Sequence, residues 1–138
     1  MRFYIVGYVT AAACMLVFDI VWLSTTAQSV YRPALGDLLR PDVNVPPAIL
    51  FYLLYVAGIV FFGVMPALKT GDWTTAAING AMLGLVAYGT YDLTNQATLA
   101  KWSTTITVLD LCWGTFLTAI SATAGFFGAR YFGGAAAG

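Results

Sequence analysis

Hydrophobic and polar positions in this chain alternate on a long period. Four apolar stretches stand out, at about Phe3 to Ser24, Ala48 to Leu68, Thr75 to Thr98 and Ser103 to Phe132. Each is long enough to cross the hydrocarbon of a bilayer, for which about 20 residues suffice. The fourth is long enough to tilt or to project from the membrane. The second and third connections are short, so neighbouring helices should run antiparallel. The expected fold is all-α: an up-down-up-down bundle of four transmembrane helices, with residues 1–138 forming a single transmembrane domain.

The first connection, about Thr25 to Pro47, is the only sizeable one. Leu35, Leu38 and Leu39 recur at helical spacing, Pro33 suits a first helical turn, and Pro41 would stop a helix. A short helix lying in the interface therefore competes here with an irregular loop. Residues Gly133 to Gly138 read as a tail without fixed structure. The first apolar stretch is longer than the core of a secretory signal and contains Asp19, so it reads as a retained span.

Within the spans, stripes made mainly of small residues recur at intervals of three and four. The first carries Gly7, Ala11 and Met15, and the third carries Gly80, Gly84 and Tyr88. The fourth carries Gly114, Thr118, Ser121, Gly125 and Gly128. Small residues let helices approach closely in lipid. Each stripe is continued by an aspartate, Asp19, Asp92 and Asp110 respectively, so all three carboxyl groups should face into the bundle. An ionisable group at bilayer depth costs at least about 2.5–3.5 kcal/mol on insertion scales and marks a functional site by default. These three are half of the 6 acidic residues in the chain.

Helix direction brings the three together in depth. Asp19 and Asp92 lie about five and six residues before their helices end, and Asp110 about seven after its helix begins. At a rise of about 1.5 Å per residue, all three sit roughly 8–10 Å below one common face, that of the first connection. Trp22 follows Asp19 by three residues and Trp113 follows Asp110 by three, so each pair shares a helix face. The two D-x-x-W units form a weak inverted repeat. Tyr52 and Tyr55 open the second helix at matching depth, and Tyr88, Tyr91, Thr94 and Asn95 surround Asp92. Trp73 and Trp102 flank the third helix as interface anchors.

Composition supports the membrane reading. The chain is 60% hydrophobic and only 9% charged, against about 25% charged in soluble domains. Net charge is zero and no basic run occurs, which argues against a nucleic-acid partner. There is no histidine, which excludes His-ligated haem or metal and any Ser-His-Asp or Cys-His machinery. Cys14 and Cys112 read as small buried hydrophobes. Arg2, Lys69 and Arg130 fall on one side, and Arg32, Arg40 and Lys101 on the other, so the positive-inside rule leaves orientation undecided.

No Lys or Arg sits within the helices to pair with the aspartates. Three close carboxylates cannot all be ionised, so at least one must hold a proton unless a cation compensates them. Shared protons, the Tyr and Trp donors, Asn95, water, or a hard cation such as Mg²⁺, Mn²⁺ or Ca²⁺ on Asp19, Asp92 and Asp110 are the available compensators. No cofactor is otherwise expected.

The run Gly89-Thr90-Tyr91-Asp92-Leu93-Thr94-Asn95-Gln96-Ala97-Thr98 resembles the signature of a bacterial membrane family known as domain of unknown function 2177. Asp19-Ile20-Val21-Trp22-Leu23, Phe51-Tyr52-Leu53-Leu54-Tyr55 and Asp110-Leu111-Cys112-Trp113-Gly114 agree with it. The resemblance implies a four-helix protein of the bacterial inner membrane and carries over no substrate, cofactor or catalytic residue.

The residues then point first to a pocket open on the first-connection side that binds a small solute, a lipid or a cation, with proton-coupled transport as its most specific form. Asp19, Asp92 and Asp110 would bind the proton or cation. Tyr52, Tyr55, Tyr91 and Asn95 would supply hydrogen bonds, and Trp22 and Trp113 the walls. A membrane enzyme using Asp acid–base chemistry on a lipid or isoprenoid is the second reading. The third is an accessory or assembly subunit of a membrane complex. Membrane lipid is an expected partner, as is a homo-oligomer or a larger complex.

Overall fold

The computed structural model describes residues 1–134. Its long helices are α1 (Arg2–Leu38), α2 (Val45–Thr70), α3 (Trp73–Thr98) and α4 (Thr104–Tyr131). By length and composition α1, α2 and α4 can each cross a membrane. Helix α3 is more polar, with Asn79, Asp92, Asn95 and Gln96, and completes a four-helix membrane bundle.

The packing is inverted relative to a soluble protein. Large apolar side chains such as Ile5, Ile20, Leu50, Leu54, Phe61, Ile78 and Val86 are more than half exposed, whereas Asp92, Thr118 and Ser121 are fully buried. An exposed apolar surface of this extent needs a partner, and lipid supplies it. The interior is lined by the small-residue stripes: Gly7, Ala11, Met15 and Asp19 of α1 are buried, and so are Asp110, Gly114, Thr118, Ser121, Gly125 and Gly128 of α4. Helix α4 is central, packing along α3 on one side and α1 on the other.

The closest approach is between α3 and α4. A Cβ added at Gly84 would run into the carbonyl oxygen of Gly114 and lie 2.7 Å from Thr118 Oγ1. One added at Gly114 would enter the ring of Tyr88. Only glycine permits this contact, in which dispersion between close backbones replaces the missing hydrophobic drive.

Two prolines shape the helices. A ring at Pro66 removes an N–H and clashes with the carbonyl four residues back, that of Phe62. The helix answers with a π turn at Ile59–Val64, and Asn79 Nδ2 of α3 donates to the freed Phe62 oxygen at 2.9 Å. Pro33 follows a second π turn, Ala27–Tyr31. Just before it, the hydroxyls of Ser24, Thr25 and Thr26 donate to the carbonyls of Val21 and Trp22, the back-bonding that bends helices.

The structure consequently differs from the expected first connection. Nothing between Ser24 and Tyr31 breaks a helix, and the π turn accommodates Pro33, so α1 continues to Leu38 after a positive-φ glycine, Gly36 (φ 45°). Irregular chain is confined to residues 39–44. At the other end of the bundle, Gly71 (φ 70°) terminates α2 and Asp72 caps α3 through Thr74 N–H at 2.9 Å. The Thr74 hydroxyl and then its N–H hold the Asp72 carboxyl below the usual carboxylate range. Arg130 Nη1 donates to the Gly71 carbonyl at 3.1 Å, tying the end of α4 to this turn. Gly133 N–H still bonds Gly128 O at 3.2 Å; residues 135–138 of the expected tail lie outside the described residues.

Candidate functional site

The α1 stripe ends in Asp19, which its register turns inward to 8% exposure. Asp19 Oδ2 accepts from the hydroxyl of Tyr52 on α2, and Oδ1 accepts from Trp113 Nε1 on α4 at 3.3 Å. Both oxygens are occupied, and one carboxylate joins three helices.

Asp110 and Asp92 have a different environment. Asp110 Oδ1 accepts from the hydroxyl of Tyr31, which in turn accepts from Trp22 Nε1 at 3.0 Å. Asp92 is fully buried on α3 and lies within hydrogen-bonding reach of Asp110. Neither Asp92 oxygen has a hydrogen-bond donor among the described residues. Two buried carboxyl groups this close disfavour joint ionisation. The six Lys and Arg residues all lie toward helix ends or in connections, and none pairs with these two aspartates.

The indoles of Trp22 and Trp113 stack face to face at 4.3 Å, with 10° between their planes. Each tryptophan serves the aspartate of the other D-x-x-W unit, Trp113 directly and Trp22 through Tyr31. Among the described residues, no three Asp or Cys side chains converge closely enough to hold a metal ion. Asp92 and Asp110 form a pair, and Asp19 is separate.

A cavity of about 360 Å³ reaches Asp110 between α2, α3 and α4, lined by Phe51, Ala87, Tyr88, Tyr91 and Asp110. Phe51 and Tyr91 at its rim are about half exposed, so it opens sideways toward lipid. Tyr55 is buried and bonds Thr118 Oγ1 at 2.7 Å, with Phe51 stacked on it at 5.1 Å. Tyr91 meets Trp102 edge to face at 5.7 Å and reaches Asn95. Of the expected site residues, then, Tyr52, Trp113 and, through Tyr31, Trp22 engage aspartates; Tyr55 bonds Thr118, and Tyr91 lines the cavity beside Asp110. Cys14 and Cys112 are free.

Two residues carry more than the sequence reading gave them. Tyr31 falls within the expected first connection, yet it bonds Asp110; its helical continuation from Trp22, unbroken by Gly or Pro before Pro33, is the signal in the sequence. Tyr88 was grouped with the small-residue stripe, and it lines the cavity because Gly114 leaves room for its ring.

The model of one protein family, described as Predicted membrane protein (DUF2177), matches residues 4–127. The chain belongs to this family. The match takes in both D-x-x-W units, the Y-D-L-T-N run and every residue lining the cavity. Searches among curated proteins and among solved structures found no match. The chain is accordingly an integral membrane protein of the DUF2177 family, and the family brings no activity with it.

Proposed function

We propose that this protein, set in the bacterial inner membrane, binds a small amphipathic solute, lipid or cation at the Asp92–Asp110 pair and exchanges a proton of that pair with it. The supporting observation is the placement of Asp110, with Asp92 buried beside it, at an aromatic cavity that opens between helices toward lipid. Ionisable groups at membrane depth are costly and mark functional sites. A ligand entering from the bilayer would displace the proton. Proton-coupled transport is the form in which that exchange would do work across the membrane. Asp19, with both oxygens bonded, would hold α1, α2 and α4 together and take no part in the exchange.

A hydrophobic carbodiimide tests this, because it reacts with protonated carboxyl groups that are reachable from lipid. Treatment in membranes at neutral pH, followed by peptide mass spectrometry, should place the N-acylurea adduct on Asp110 or Asp92. Asp92→Asn and Asp110→Asn should each suppress it. Adduct on Asp19 alone, or none on the pair, refutes the proposal.

A further inference from the structure

We propose that the cavity lined by Phe51, Tyr88, Tyr91 and Asp110 is a cage for a quaternary ammonium group, an inference that rests on reading this cavity as a binding site. Three of its five lining residues are aromatic, and Asp110 supplies the only carboxylate among them. Aromatic faces attract cations through the ring quadrupole, more strongly when water is excluded, and aromatic cages hold quaternary ammonium groups. No Lys or Arg lies beside Asp110 to occupy it, so its carboxyl group is available to a cationic ligand.

The same lining argues against other ligand classes. A primary ammonium carries three N–H donors and is matched best by a polar lining, whereas this lining is mostly aromatic and aliphatic carbon with a single carboxylate. A quaternary ammonium has no donors to satisfy. Divalent cations take six or more oxygen ligands, far more than are present. The volume, about 360 Å³, lies at the lower end for small-molecule sites (about 300–1,000 Å³) and accommodates a trimethylammonium group with a short apolar arm. The half-exposed rim at Phe51 and Tyr91 would let a longer chain remain in lipid.

Choline and 3,3-dimethylbutan-1-ol separate charge from shape, since they differ in one atom, nitrogen against carbon. Calorimetric titration of the full chain in maltoside micelles, free of phosphocholine detergent, should show choline binding at least about tenfold more tightly than the neutral isostere. Asp110→Asn should abolish the preference. Phe51→Leu and Tyr91→Leu, both at exposed positions, should each weaken choline binding by about two- to tenfold while leaving helix content unchanged. Equal binding of the two probes overturns the ammonium assignment and leaves a binding cavity. Absence of binding by either, with carbodiimide still labelling Asp110 or Asp92, overturns the cage alone. Absence of both binding and labelling removes the site altogether.

Discussion

Replacing Gly84 by alanine asks whether α3 and α4 really meet backbone to backbone. The new methyl group would sit 2.7 Å from Thr118 Oγ1 and 2.8 Å from the Gly114 carbonyl carbon, and closer still to the Gly114 oxygen. Ordinary contact begins near 3.4 Å, so even the Thr118 contact demands a retreat of 3.4 − 2.7 = 0.7 Å. The obstacles at Gly114 are backbone, and no side-chain rotation relieves them. The helices must separate along their most extensive contact, and a gap of about 0.5–1 Å forfeits a quarter to a half of each dispersion well. Overpacking of this kind costs about 1–3 kcal/mol. Gly58 supplies the control, because a Cβ there meets only Leu83 Cδ2 at 3.9 Å. Gly58→Ala should gain about 0.5–1 kcal/mol from reduced backbone entropy. The propensity gain is common to both variants, so their difference isolates the steric term. Unfolding free energies by steric trapping in bicelles should place Gly84→Ala below Gly58→Ala by about 1–3 kcal/mol. Equal stabilities would refute the close approach. Because Asp92 lies two turns beyond Gly84, separation should also weaken the Asp92–Asp110 contact and reduce carbodiimide labelling of the pair.

The other expectations concern the polar groups. Asp92→Asn lets an amide donate to Asp110 where two acidic groups face each other, and should raise stability by about 1–3 kcal/mol in the same unfolding assay while abolishing ligand binding. Tyr31→Phe and Tyr52→Phe each strip a donor from a buried carboxylate and should cost about 1–3 kcal/mol, against about 0.5–1.5 for Tyr55→Phe, whose partner is the neutral Thr118. Asp19→Asn should lower stability but leave choline binding within about twofold, and Asp110→Asn should do the reverse. Asp72→Ala should lower the melting temperature in detergent at neutral pH. Since the folded carboxyl titrates below its unfolded value, the cap's contribution is complete above the ordinary carboxylate range and vanishes as pH falls through the folded value, so wild type and Asp72→Ala should converge in acid.

How far the sequence could be read depended on whether a feature was periodic. Gly7, Ala11, Met15 and Asp19 recur at one helical interval, and α4 repeats the pattern, so burial of these faces followed from spacing alone. The chain's Y-D-L-T-N run likewise sufficed to place it in its family. Features set by a single irregularity were harder to see. Pro66 lies inside an apolar stretch, and only the register of α3 shows that Asn79 meets the carbonyl it frees. Pro33 looked like a helix start because a π turn, which lets the helix run on through it, has no composition signature. That error placed Tyr31 in a connection. Depth counting set the three aspartates at one level because it ended the first helix at Ser24; α1 runs on to Leu38, and the stacking of Trp22 on Trp113 between antiparallel helices sets Asp19 and Asp110 at different depths, on opposite sides of the indole pair.

That separation follows from the repeat itself. Helices α1 and α4 run in opposite directions, so a D-x-x-W unit on each sets every tryptophan one turn beyond its own aspartate and toward the other's. The two indoles therefore stack between the helices; Trp113 hands its N–H across to α1, and Trp22 gives its own to Tyr31 further along α1. Trp113 reaches Asp19 directly, and Tyr52 takes the other Asp19 oxygen, so that carboxylate is closed on both sides. Trp22 stops short of Asp110 and needs Tyr31 to complete the link, so only Asp110 Oδ1 is satisfied from this side. The opposite side of Asp110 faces Asp92 and the cavity. One motif used twice thus yields two unequal acids, a latch in Asp19 and a chemically open carboxyl in Asp110. The asymmetry originates in the continuation of α1 past Thr26, since without that helical extension nothing would position Tyr31. A substitution that straightens or breaks this extension should therefore act on Asp110 and leave Asp19 bonded.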